Sequence, residues 1–143
     1  RSLGKFFGLA GIRFGAVFAE PTLLATLSSY LGPWGITSLT LWIAQQALAD
    51  SVWQSVQVDR LVALQEQMSA SLLGTEAFVG STPLFLTLRS ECPLVWQDCL
   101  ANQGIWTRAF PDQGLIRLGY PLSGQVSRTL DGVLSLPGLK AFQ

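Results

Sequence analysis

Histidine is absent from the 143 residues, which removes the commonest general base and the commonest metal ligand. Charge is scarce as well. Charged residues make up 13% of the chain, and nine basic residues cancel nine acidic ones, so there is no electrostatic footprint for nucleic acid. A hydrophobic share of 49% excludes a disordered chain. With so little charge, surface visible here is expected to be buried in a larger parent protein. Cysteine occurs twice, at Cys92 and Cys99. Two turns of helix would hold them roughly 10 Å apart, too far for a disulfide, and they lack partners for a zinc site. Reduced core thiols are expected, consistent with a cytoplasmic protein.

One long stretch has no charge at all, from Pro21 to Ala49, and its length would satisfy a membrane span. Its interior argues otherwise. Ser28, Ser29, Gly32, Pro33, Gly35, Thr37 and Ser38 cluster in the middle, where Gly32-Pro33 should stop a helix. Each half is then too short to cross a bilayer. The expectation is two helices buried against a missing domain or a second subunit, with no membrane insertion.

Ile12–Ala19 is apolar and β-compatible and reads as a buried strand with Arg13 at its mouth. Glu20-Pro21-Thr22 opens a helix through about Tyr30. Ser38 is placed to cap a helix to Ala49. Val52, Val56, Leu61, Leu64, Met68 and Leu72 keep a helical period as far as Gly74, so residues 38–73 form one bent helix or two in series. The remainder alternates differently. Short strands are expected at 77–79, 83–89, 105–110 and 115–120, with helices at 93–102 and 123–134. Their order suggests a small two-layer α/β domain.

Pro111-Asp112-Gln113-Gly114 has the composition of a turn. If it closes a hairpin, Phe110 pairs with Leu115, Ala109 with Ile116 and Arg108 with Arg117. Like charges directly opposite destabilise a hairpin. Either an anion sits between them, or acidic residues from elsewhere neutralise them, or they splay into solvent. Arg60, Arg89, Arg128 and Lys140 read as solvated. Trp106 lies two residues before Arg108 and would share its strand face.

The segment Arg1-Ser-Leu-Gly-Lys-Phe-Phe-Gly-Leu-Ala-Gly-Ile-Arg13 is the richest in chemistry. Glycines at 4, 8 and 11 permit close backbone approach, Ser2 and Arg13 could cradle a phosphate, and Lys5 could supply an amine. Leu3, Phe6, Phe7 and Leu9 make an apolar neighbourhood that favours the neutral, nucleophilic amine. This segment resembles the lysine segment of the pyridoxal-phosphate enzymes of fold type I, the class I/II aminotransferase superfamily. The branch it is most similar to holds the histidinol-phosphate aminotransferases and the threonine-phosphate decarboxylases. Gly32-Pro33-Trp34-Gly35-Ile36-Thr37-Ser38, leading into Ala44-Gln45-Gln46-Ala47-Leu48, resembles the start of the interdomain connection in the decarboxylase branch. Gly4 departs from relatives related to the aminotransferase, which often carry serine there.

The resemblance implies an α/β fold in three parts: residues 1–33 a remnant of the large cofactor domain, 34–73 a connecting helical segment, and 74–143 a small carboxyl-terminal α/β domain. It implies a carboxyl-terminal portion of an enzyme more than twice as long. Pyridoxal 5'-phosphate is the implied cofactor, joined to Lys5 and held at its phosphate by Ser2 and Arg13. Gly104-Ile105-x-x-Arg108 and Leu115-Ile116-Arg117 look like the motifs that grip a phosphorylated amino acid, with Arg117 on the α-carboxylate and Arg108 on the phosphate. The implied reaction is decarboxylation of threonine phosphate to aminopropanol phosphate in cobalamin biosynthesis, by a homodimer. Histidinol-phosphate-type transamination is the alternative, and a non-catalytic binding or structural domain a second. Residues 1–143 alone are expected to bind cofactor weakly and to be inactive.

Overall fold

The computed structural model describes residues 1–139, and the chain divides into two compact units, Arg1–Gln57 and Val58–Gln143. The first unit opens with a loop closed on itself. Ser2 and Gly15 form an isolated antiparallel bridge, the Arg1 nitrogen donates to the Ala16 carbonyl at 2.7 Å, and the Ala16 N–H donates to the Arg1 carbonyl at 2.8 Å. Leu3 is buried beneath the loop. A 3₁₀ turn spans Ala10–Ile12.

Helix α1 (Pro21–Leu31) starts as its sequence dictates. Glu20 is extended, Pro21 occupies the first turn, and Gly32 ends the helix at φ 68° with its N–H bonded to the Ser28 carbonyl. None of its residues is buried. Helix α2 (Ser38–Ala49) is capped by Thr37, whose Oγ1 accepts from the Thr40 N–H at 3.1 Å; the cap falls one residue before the expected Ser38. Asp50 separates α2 from α3 (Ser51–Leu72), and its carboxylate accepts from the Trp53 N–H at 2.9 Å. The 38–73 segment is therefore two helices in series.

The expected strand at Ile12–Ala19 is not formed. Ile12 belongs to the 3₁₀ turn, Arg13 has φ 52°, and pairing reaches only Gly15. Val17 and Phe18 are exposed. A strand needs a neighbour for its backbone donors and acceptors, and among the described residues of this unit there is none beyond Ser2. No described helix is long and apolar enough to cross a membrane.

The second unit is built on a four-stranded antiparallel sheet in the order β1-β2-β4-β3, with β1 at Phe78–Thr82, β2 at Phe85–Arg89, β3 at Arg108–Phe110 and β4 at Leu115–Gly119. Residues alternate between faces. Leu86, Leu88, Ile116 and Leu118 are buried on one side, where they join Leu64, Met68 and Leu72 of α3, Trp96 and Leu100 of α4 (Pro93–Asn102), and Val126 and Val133 of α5 (Val126–Leu134) in a single core. The three α3 residues recur every fourth position, the spacing of one helical stripe.

Polar groups close the edges of this core. Trp96 Nε1 donates to the Pro137 carbonyl at 2.9 Å, and Tyr120 Oη donates to the Thr82 carbonyl at 2.8 Å. Gly132 leaves α5 room beside Ile105, since a Cβ there would lie 2.6 Å from Ile105 Cδ1. Both cysteines are free thiols; Cys99 is half-buried and packs against the core as expected, while Cys92 is exposed just before α4, so the expected burial does not hold there. Cys92 occupies the cap position, ahead of the helix residues Pro93, Trp96 and Leu100 that are buried.

Candidate active site

The candidate residues fall into two groups, one in each unit. Lys5, Ser2 and Arg13 lie on the closed loop of the first. The antiparallel bridge carries Ser2 and the segment just after Arg13 side by side at the base of the loop. Lys5 begins a turn at its far side, where the Gly8 N–H donates to the Lys5 carbonyl at 3.0 Å and the Leu9 N–H to the Leu3 carbonyl at 3.0 Å. Gly8 has φ 68°, a conformation that glycine adopts without steric cost. All three side chains are exposed. The apolar neighbours thus support the loop without enclosing the amine: Leu3 is buried, and Phe6, Phe7 and Leu9 are half-buried.

Two aromatic contacts anchor the turn. Phe7 stacks on Trp53 with ring centroids 5.6 Å apart, and Phe6 meets the same indole edge-on at 5.7 Å. Thr40 of α2 adds a hydrogen bond from Oγ1 to the Ile12 carbonyl at 3.2 Å. Arg13 is the one non-glycine described residue at positive φ, a left-handed conformation that costs about 1–2 kcal/mol. Its guanidinium donates to the Ala10 carbonyl at 3.4 Å. No acidic residue occurs before Glu20, so the loop presents three cationic side chains (Arg1, Lys5 and Arg13) and the Ser2 hydroxyl without a competing carboxylate. This donor set suits a ligand carrying a phosphate and an aldehyde: the guanidinium and hydroxyl accommodate the anion, and the amine can bond to the aldehyde carbon.

Arg108 and Arg117 lie in the second unit, in the register expected from the sequence: Arg108 opposite Arg117, Ala109 opposite Ile116, Phe110 opposite Leu115. A 3₁₀ turn at Pro111–Gln113 and a left-handed Gly114 make the connection. A Cβ at Gly114 would lie 3.2 Å from the Ser90 carbonyl, a second reason for glycine there. Both arginines are on the sheet face opposite the core, and neither donates a hydrogen bond within the described residues; Arg13 and Arg128 are the arginines whose side chains do. Their neighbours are aromatic. The Arg117 guanidinium carbon is 4.2 Å from the Phe85 ring centroid and 5.4 Å from that of Phe110, and Arg108 is 5.2 Å from Phe110.

Sequence reasoning missed these rings, although pairing of β2 with β4 and the alternation of β2 would have put Phe85 on the arginine face. Trp106 precedes β3 instead of sharing its face. It is exposed, beside a cleft of about 280 Å³ that Tyr120 and Arg128 also line. Arg128 is more than solvated, since it donates to the Gln103 carbonyl at the end of α4. Lys140 lies outside the described residues.

Comparison with known proteins matches the chain to one family. The family model for aminotransferase class I and II matches residues 1–128. A threonine-phosphate decarboxylase of Pseudomonas aeruginosa is 38% identical over 94% of this chain and 41% of its own length. One from Sinorhizobium sp is 33% identical over 77% of this chain and 33% of its own. A histidinol-phosphate aminotransferase of Legionella pneumophila is 24% identical over 81% of this chain and 33% of its own. The crystal structure of a putative aminotransferase from Burkholderia pseudomallei superposes with a TM-score of 0.78 at 23% identity, covering 93% of this chain and 42% of that one; it has the same α/β fold. The chain thus spans well under half the length of these relatives. From its lysine loop to the arginine hairpin and beyond, it belongs to the aminotransferase class I and II family.

Proposed function

We propose that the protein to which this chain contributes decarboxylates L-threonine O-3-phosphate to aminopropanol phosphate, a step of cobalamin biosynthesis, with pyridoxal phosphate as cofactor. The carrying observation is the Arg108–Arg117 pair, directly opposite in the strand register and without a hydrogen-bond acceptor among the described residues, in a chain similar along nearly its whole length to a threonine-phosphate decarboxylase. A substrate with a carboxylate at one end and a phosphate at the other matches two such cations. Arg117 takes the carboxylate and Arg108 the phosphate, each through paired N–H donors.

In this reading Lys5 Nζ anchors the cofactor, while the Ser2 hydroxyl and the Arg13 guanidinium bind its phosphate. When bound, the cofactor supplies an electron sink for the charge left at the α-carbon. Lys5 Nζ would deliver the single proton that this carbon takes up in place of the departing carbon dioxide. The two arginines restrain both ends of the substrate, which selects the bond at the α-carbon that is oriented to break. The rest of the assignment follows the same reading: residues 1–33 from a large cofactor domain, 34–73 a connection, 74–143 a small domain, in a homodimer that needs neither nucleic acid nor membrane.

The test is an assay of the full-length protein with O-phospho-L-threonine. Carbon dioxide release without a keto acid is the expected result. Amino transfer from histidinol phosphate to 2-oxoglutarate, with no carbon dioxide, would favour the aminotransferase alternative, for which the similarity to histidinol-phosphate aminotransferases speaks. A non-catalytic domain would leave Lys5 unlabelled after borohydride treatment of the full-length protein.

A further inference from the structure

We propose that Phe85 and Phe110 are positioning residues that orient the two anion-binding arginines, with the Phe110 ring shared between them. The inference rests on the assignment of Arg108 and Arg117 to substrate binding. The strand register puts all four residues on one face of the sheet. Thr87 of β2 pairs with Arg117, so Phe85, two residues before it, lies diagonal to that arginine. The residue directly opposite Phe85 is Gly119. With no side chain there, the guanidinium of Arg117 can lie over the ring at 4.2 Å. On the other side Phe110 pairs with Leu115 and is again diagonal to Arg117. It also stands two residues from Arg108 on its own strand.

This arrangement answers a question raised by the hairpin, which is how two like charges stay opposite each other. A carboxylate between them would neutralise the pair and occupy its donors. No strand position on this face is acidic: the paired positions are Gly80, Thr82, Phe85, Thr87, Arg89, Arg108, Phe110, Leu115, Arg117 and Gly119. An aromatic face attracts a cation through its quadrupole and touches the guanidinium plane. The in-plane N–H groups remain free for a carboxylate or phosphate. Both charges keep their full strength, and each arginine loses rotamer freedom before the ligand arrives. An aliphatic side chain could fill the same space but would lack the quadrupole.

The experiment measures binding of 3-phosphoglycerate to the full-length protein by calorimetry. This probe carries a carboxylate and a phosphate but no amine, so it cannot react with an aldehyde and reports affinity without turnover. Phe85→Leu and Phe110→Leu should each weaken it by about three- to thirtyfold, while Phe85→Tyr and Phe110→Tyr retain wild-type affinity. Inorganic phosphate, the second probe, should lose affinity in Phe110→Leu and keep it in Phe85→Leu, because Phe85 touches Arg117 alone. Wild-type affinity in both leucine variants, with Arg108→Ala and Arg117→Ala still losing the probe, would overturn the positioning role and leave the substrate reading intact. Retention of the probe by both arginine variants would overturn the two together. Loss in the leucine variants that tyrosine does not restore would show a packing role only and would equally overturn the proposal.

Discussion

The two units of this chain spend their apolar residues differently. From Val58 onward, apolar side chains of β2 and β4 meet those of α3, α4 and α5 in one core. In the first 57 residues the buried apolar side chains are Leu3 and Ala44, while Leu23, Tyr30, Leu31, Trp34, Leu39 and Trp42 are exposed. Tyr30 and Trp34 are 85% and 90% exposed, high values for large, largely apolar side chains. The second unit has the means to hold itself together. The first holds a chemically equipped loop by local hydrogen bonds and one aromatic cluster, on helices that bury almost nothing. In the proposed reading the reacting amine thus lies in one unit and the core that stabilises the chain in the other, and that separation can be tested.

The largest effect should come from the exposed loop. Lys5→Ala in the full-length protein should reduce turnover by about 10²- to 10⁴-fold, the range for loss of a positioned proton carrier. Thermal unfolding should move by less than about 0.5 kcal/mol, because an exposed side chain away from any packing is removed. A large loss of stability in that variant would break the separation. The converse holds in the core, where Leu88→Ala should destabilise by about 2–5 kcal/mol. Leu23→Ala, on the exposed face of α1, should stay within about 0.5 kcal/mol when residues 1–143 are unfolded in denaturant. In the full-length protein the cost of Leu23→Ala should rise if another surface covers α1, which sharpens the comparison.

A smaller effect is expected at the α5 contact. Gly132→Ala forces Ile105 and Gln103 aside and should cost about 1–3 kcal/mol, read as a lower denaturation midpoint at unchanged slope. The smallest is pH-dependent. Burial raises the Tyr120 phenol above its ordinary value of 10.0, partly offset by the Ser81 hydroxyl. The folded state therefore holds this proton more tightly than the unfolded chain. The stability it contributes is complete below pH 10 and falls as pH rises from there through the folded value. Melting curves of Tyr120→Phe should lack this alkaline component.

Much of the second unit was legible in the sequence because its signals are local and mutually consistent. Alternation in 85–89 and 115–119, a turn of Pro, Asp, Gln and Gly, and a stripe at Leu64, Met68 and Leu72 each point to one structure. The hairpin register followed from turn length, and with it the juxtaposition of Arg108 and Arg117. Residues 12–19 were misread for the opposite reason. Their apolar, β-compatible composition describes what a strand would bury, but a strand exists only where another supplies its backbone partners. Within this unit Gly15 finds Ser2 and the pairing stops. Of the two thiols, Cys99 packs against the core as expected, whereas Cys92 precedes α4 and is exposed.

The amino-acid sequence by itself determined the chemical inventory: an amine, a hydroxyl and a guanidinium on a glycine-rich segment without acids, two arginines brought level by a four-residue turn, and helices whose caps and stops are written into them. These are short-range properties, set by side-chain chemistry and by backbone preferences over a few residues. Tertiary structure alone decided that Lys5 stands exposed on a loop pinned to Trp53, that Arg13 takes a left-handed conformation, and that two aromatic rings carry the arginine pair. Such contacts join residues far apart in the chain, and their geometry depends on how whole elements pack, which no local pattern encodes.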